Sequence, residues 1–162
     1  MIAIDLPEVV AEVTAASLAY EAALAEGDVE ALVQAFWSSG LALRIGDDEE
    51  LVGIDAITAF RREAGARPVR RTERLRRVTA YGTELASVHL VTEYPADETG
   101  TPGRVGRQSQ WWLRTDVGWR IAEAHVSWPL RSVRLTTGAP ASDVPPRPGE
   151  PAHATTPRRS TR

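Results

Sequence analysis

Apolar residues recur every three or four positions in the first part of this chain and every second position in its later part. Val9, Val13, Ala16, Tyr20 and Leu24 form one such stripe and predict a helix running to about Ala25. Asp5, with Glu8 three residues on and Pro7 tolerated in the first turn, is the expected cap, and Gly27 the expected stop. Tyr20 thereby falls on the buried side. Asp28 reads as the cap of a second helix over 29–37, with Leu32, Phe36 and Trp37 inward. Residues 41–46 alternate as a strand, the acidic run Asp47-Asp48-Glu49-Glu50 turns, and Leu51-Val52-Gly53 returns. Asp55 is the expected cap of a third helix over 56–64, with Ile57, Phe60 and Ala64 inward.

Beyond Arg67 the period changes to two. Strands are predicted over 69–81, 85–94, 104–115 and 119–128, broken at Gly82-Thr83, at a Gly/Pro-rich loop over 97–103, and at Val117-Gly118. Helices first and antiparallel strands second predict an α+β domain, three helices packed on one side of a curved, mainly antiparallel sheet. One domain over 1–134 is expected. From 135 to 162 the chain turns to Pro, Ala, Thr and Arg with almost no large apolar group, the composition of a disordered tail.

Composition removes whole classes of chemistry. All 19 basic residues are Arg, so no Schiff-base lysine is available. There is no cysteine, which removes disulfides, thiolate nucleophiles and Cys-based zinc or iron–sulfur sites. His89, His125 and His153 are the only histidines, and no metal site or cofactor is expected. A net charge of −3 makes no case for nucleic acid or an anionic membrane. Neither a leader nor a membrane span is legible, so a soluble cytoplasmic protein is expected.

The terminal strands hold more polar detail than a core requires. Gln108, Gln110 and Trp112 share one face of their strand, and Arg107, Ser109 and Trp111 the other. The glutamine face is assigned to a pocket and the Trp111 face to a second copy of the chain. With Val117-Gly118 as a two-residue turn, His125 falls opposite Gln110. It is placed in the pocket, with the subunit interface as the alternative. Arg70, Arg71, Arg74, Arg76 and Arg77 read as a solvated strand face or a balance to the acidic turn, rather than a nucleic-acid surface. Of the adjacent Arg61 and Arg62 one is expected to be solvated; Arg61 is placed with the binding residues.

The element order, with Gly-Trp-Arg-Ile at 118–121 and Ala-His-Val-Ser at 124–127, resembles the nuclear transport factor 2-like (SnoaL-like) superfamily. A narrower likeness runs from about Ile2 to Ser127. Ile4-Asp5-Leu6-Pro7, Tyr20-Glu21-Ala22-Ala23-Leu24, Leu43-Arg44-Ile45-Gly46, Ala59-Phe60-Arg61-Arg62 and Gly106-Arg107-Gln108-Ser109-Gln110 together resemble the AtzH-like proteins of oxalurate and s-triazine catabolism. Trp111 and the tail depart from that pattern. The resemblance implies a cofactor-free decarboxylase of 1,3-dicarboxyurea working beside an amidase, with Tyr20 and Arg44 as catalytic residues.

The chemistry suits those residue types. A carbamate-type N–COO⁻ loses CO₂ when its nitrogen is protonated as the C–N bond breaks, which asks for a proton donor and an anion-holding group. A tyrosine offers the first and an arginine fork the second. Plainer readings stand beside these: Tyr20 as a core tyrosine, and Arg44 at the rim or paired with a glutamate. A non-catalytic small-anion-binding or amidase-accessory protein is the alternative function. An isomerase or cyclase, which would use an inward Asp or His in an apolar pocket, fits least well.

Overall fold

The first helix, α1 (Pro7–Glu26), buries Val9, Val13, Ser17, Tyr20, Ala23 and Leu24 in a computed structural model that describes residues 1–96 and 102–129. Ala16 is only half-buried, and Ser17 and Ala23 complete the inner face. Asp5 does not cap α1. At φ +54° its backbone N–H donates to the Ala80 carbonyl, and its carboxylate accepts from the Ala80 N–H at 2.9 Å, tying the N-terminus to the sheet. Leu6 takes the cap position with no side-chain bond. The other end is as the sequence predicts: Gly27 closes the helix in the left-handed region, at φ +73°.

Asp28 caps α2 (Val29–Gln34) through the Ala31 N–H at 3.0 Å. This helix stops before Trp37 because the following backbone bonds to a strand instead. The Ile121 N–H donates to Ala35, and the Trp37 N–H to Ile121, covering a strand edge that would otherwise be bare. A short hairpin follows, β1 (Leu43–Ile45) and β2 (Glu50–Val52), then α3 (Ile54–Ala64). Gly53, at φ +86°, holds the α3 cap position, so Asp55 sits inside the first turn, where its charge complements the helix dipole rather than capping it.

Four long strands complete the fold: β3 (Thr72–Tyr81), β4 (Leu85–Tyr94), β5 (Arg104–Thr115) and β6 (Gly118–Ser127). The six-stranded sheet has the order β2-β1-β6-β5-β4-β3, antiparallel throughout except for β1 beside β6. The helices pack on one face of it, around Trp112, Ile121, Val88, Leu90, Ile57 and Phe36. The α+β architecture is the one expected. The tail over 135–162 and the boundary at 134 lie outside the described residues. Among those residues no helix is long and apolar enough to cross a membrane.

The β5–β6 hairpin departs from the expected register. Thr115 pairs with Gly118, so the turn is Asp116-Val117, one residue early. An extra residue, Ala122, then shifts the register between Trp111 and Trp112. The net slip is one residue, and His125 pairs with Ser109 rather than Gln110. A one-residue slip turns a side chain to the opposite face.

An alanine at Gly27 would keep a left-handed conformation disfavoured for L-residues by about 1–2 kcal/mol. Its Cβ would also meet the backbone of Ala66 and Arg67 at 3.0–3.1 Å. Gly27→Ala is therefore expected to lower the urea midpoint by at least that stability at unchanged slope; a midpoint equal to the parent's would contradict this placement.

Candidate functional site

Three neighbouring strands set a row of side chains on the inner face of the sheet. Arg44 of β1 pairs with Ala124 of β6, and Ala124 with Gln110 of β5. At a strand spacing of about 4.8 Å, Arg44 and Gln110 stand roughly 10 Å apart at their Cα atoms, with only a methyl group between. Such a small central residue lets two long polar side chains face each other across it. The Arg44 guanidinium lies 4.5 Å above the Phe60 ring, and its Nη1 donates to the Glu49 carboxylate. Its side chain is 12% exposed. The plainer sequence reading of Arg44, a glutamate partner, is thus realised, through a residue of the acidic turn. Glu49 engages one guanidinium nitrogen among the five N–H donors of the side chain.

Tyr20 reaches the same region from α1. It is buried, its ring edge-on to Phe36 at 6.3 Å, and its Oη accepts a 2.6 Å hydrogen bond from Arg61 Nη2. Arg61 also lies 5.9 Å from the Phe60 ring, so Phe60 separates two guanidinium groups. Tyr20, Arg61, Phe60 and Arg44 therefore form one contiguous chain, although Tyr20 and Arg44 share no hydrogen bond. Arg61 Nε is buried without a partner, and Arg62 is exposed in a long contact with Glu30.

Gln108 and Gln110 are 5% and 1% exposed, on the inner face. The Trp112 indole N–H donates to Gln110 Oε1 at 3.1 Å. Gln108 Oε1 faces Arg71 through contacts of 3.4 and 3.5 Å. Among the described residues, both Nε2 atoms are buried with no partner. An unpaired buried donor costs about 1–3 kcal/mol, so these amides are a costly feature to keep.

Arg71 does not belong to the solvated run that the sequence suggests. Its guanidinium, 8% exposed, bonds Glu21 through Nε and Nη2, at 2.5–2.8 Å, and donates to Tyr94 Oη at 2.7 Å. Burial works against the charge of Arg71, but the Glu21 carboxylate and Tyr94 outweigh it and raise its pKa. Arg76 also turns inward, donating to Ser17 of α1 and pairing with Glu73. A register shift between Glu73 and Leu75 breaks the simple alternation that the run suggested. Arg70, Arg74 and Arg77 are exposed, as expected. The clue to Arg71 was Glu21, next to Tyr20 on the helix.

His125 is not in this interior. It is exposed on the outer face opposite Ser109, whose Oγ lies 3.0 Å from His89 Nδ1. Its expected place in the pocket is overturned by the hairpin slip. Trp111, 38% exposed, shares that outer face and packs on Tyr81 at 5.8 Å. Among the described residues no three His, Cys, Asp or Glu gather closely enough to hold a metal ion.

The sheet order and one-sided helices define a nuclear transport factor 2-like fold, shared with such a protein from Salmonella enterica (24% identity, 78% of this chain and 94% of that one, TM-score 0.61). The chain belongs to the AtzH-like family, whose model matches residues 2–131. It is 36% identical to a cystatin-like fold protein from Burkholderia xenovorans over 79% of this chain and 97% of that one, with a TM-score of 0.70. A DUF3225 family protein of unknown function from Pectobacterium atrosepticum is 35% identical over 78% and 94%, with a TM-score of 0.71. No curated protein matches the chain.

Glu49 lies back across Gly46 to reach Arg44, where a Cβ on Gly46 would collide with its carboxylate. An internal carboxylate on a binding arginine competes with any anion from solution. Glu49→Gln, and independently Gly46→Ala, are expected to tighten binding of a small carboxylate such as malonate by about fivefold in calorimetry. Weaker binding in both variants would mean that Glu49 positions Arg44 instead.

Proposed function

We propose that this protein is a cofactor-independent decarboxylase of an N-carboxylated urea of the 1,3-dicarboxyurea type. The observation that carries the reading is the direction of the Arg61–Tyr20 bond. A guanidinium only donates, so Tyr20 Oη is the acceptor and keeps its own proton to give elsewhere. As the C–N bond of the N–COO⁻ group breaks, its electron pair passes to nitrogen. Nitrogen takes the Tyr20 proton, and CO₂ leaves. The resulting phenolate stays beside Arg61 until water reprotonates it.

Arg44 serves best at the carboxylate that the substrate keeps. Holding the departing carboxylate would stabilise the ground state more than a transition state in which its charge is draining away. Arg61 thus has two tasks: it fixes the phenol and carries the charge that develops on it. Gln108 and Gln110 join the binding surface, and His125 does not. The membership in the AtzH-like family supports the reading, and so do the inward Arg44, Gln108 and Gln110, cationic and amide groups set among the apolar side chains of the inner face.

In the same proposal the protein works in the cytoplasm beside an amidase. A second copy covers the outer sheet face, where Trp111 and Leu75 are each 38% exposed. Trp111→Glu is expected to give a monomer in sedimentation, and an unchanged mass would remove this face from the assembly.

The deciding experiment follows allophanate or CO₂ formation while a partner hydrolase generates dicarboxyurea in solution. The parent chain should accelerate it clearly over the spontaneous rate, Tyr20→Phe should lose about 10²-fold or more, and Arg44→Ala should lose comparably. No acceleration by the parent would leave a non-catalytic anion-binding or amidase-accessory protein of the same fold. Equal rates in parent and Tyr20→Phe would take the proton from another donor.

A further inference from the structure

The two buried glutamines are not interchangeable hydrogen-bonding groups, because each is set by a neighbour that can only donate. The Trp112 indole N–H has no lone pair to offer, so the atom it meets on Gln110 must be the carbonyl oxygen. The Arg71 guanidinium fixes Gln108 in the same sense. In both amides the NH₂ end is therefore turned away from the neighbour that sets it, and both Nε2 atoms are buried with no acceptor among the described residues. The orientation follows from the chemistry of the neighbours and does not depend on telling oxygen from nitrogen.

The neighbours are themselves held. Arg71 is anchored by Glu21 and Tyr94, and Trp112 is 1% exposed in the core of the sheet. Gln108 and Gln110 lie two apart on β5, about 7 Å along the strand, and project from the same face. Beside them β6 offers Val126 opposite Gln108 and Ala124 opposite Gln110, neither of which can accept a hydrogen bond through its side chain. Arg44 stands on the far side of Ala124.

From this we propose that Trp112 and Arg71 key the two amides as a fixed pair of donors, which makes the site selective for a ligand with acceptor-only oxygens at that edge. The chemical class is a small dicarboxylate or carboxyureide, one carboxylate on Arg44 and the opposite carboxylate or carbonyl oxygen on the glutamine pair. The Arg44 end rests on the reading given above; the glutamine end does not. A primary amide in place of the second carboxylate brings N–H groups against N–H groups and is rejected. Trp112 and Arg71 act as positioning residues, touching the glutamines and not the ligand.

The test compares malonate, an unreactive diacid, with malonamate, its isosteric mono-amide, by calorimetry on the full chain. The parent is expected to bind malonate about tenfold or more tightly than malonamate. Trp112→Phe keeps an aromatic ring but removes the indole N–H and frees the Gln110 amide to turn over, so the malonate-to-malonamate ratio should fall toward one. Gln110→Glu keeps an acceptor for the indole but removes the donor, and should weaken malonate at least about tenfold. Gln110→Met, which removes the amide without adding a buried charge, should lose the same preference if the glutamate variant does not fold. A purely structural role for Trp112 would weaken both ligands equally and leave the ratio unchanged, which would overturn the proposal. No binding of malonate by the parent would overturn it too. If Arg44→Ala abolishes malonate binding while the glutamine and tryptophan variants keep both affinity and ratio, Arg44 stands and the keyed pair falls.

Discussion

The pairing of Leu43–Ile45 with Glu123–His125, three residues of parallel sheet, is the contact on which the interior depends. Among the described strands it is the one parallel pairing, and it decides which side chains of β1 share a face with the long strands. With Arg44 opposite Ala124, the arginine turns inward, and Leu43 and Ile45 turn outward beside Glu123 and His125. Shifting this pairing by one residue would put a charged side chain in solvent and an apolar one against the helices. The Ala122 bulge and the early turn of the β5–β6 hairpin set the same choice from the other side. Together they align Ala124 with Gln110, so that a row of Arg44, Ala124 and Gln110 crosses three strands.

A buried guanidinium is expensive unless its charge and its N–H groups are met. Four arginines approach the space between helices and sheet, and each has a partner that differs in kind. Arg44 has a carboxylate and an aromatic face, Arg61 a phenol and the same aromatic ring, Arg71 a carboxylate with a phenol, and Arg76 a hydroxyl with a carboxylate. Lysine, a compact and strongly hydrated charge, could neither stack on Phe60 nor span two partners in a plane. The absence of lysine throughout the chain is in keeping with an interior built on planar forks. Among the described residues, Arg61 Nε, Ser87 Oγ and the Nε2 atoms of Gln108 and Gln110 are the buried groups left unmet.

Helix α1 links the two ends of that region. Tyr20 and Glu21 are consecutive, yet one engages Arg61, within α3, and the other Arg71, just before β3. Successive helix positions diverge by about 100°, so adjacent residues can address separate partners without any break in the helix. Glu12, a few turns earlier, accepts from the Trp119 indole and from Arg114 and so pins the helix to the β5–β6 hairpin. Those two donors hold its carboxyl below the ordinary range.

Local periodicity determined much by itself. The stripe through Val9, Val13, Tyr20 and Leu24, the Asp28 cap, the Gly27 stop, and the alternation that turns Gln108, Gln110 and Trp112 one way are all short-range features. Each depends on residues a few positions apart, and the α+β order follows from them, whereas the AtzH-like resemblance rests on particular short segments. Where a partner distant in sequence intervened, the local signal misled. Asp5 gave up a helix cap for Ala80, the end of α2 gave up its last turn for Ile121, and Arg71 and Arg76 left the solvated face for Glu21 and Ser17. His125 shows the reason most plainly. Its face depends on the parity of a turn and a bulge, and a period of two converts one extra residue into the opposite side of the sheet. Sequence thus determined which elements form and the inner face of most strands. Tertiary structure alone decided which charges meet inside, because that is set by register and by contacts across tens of residues.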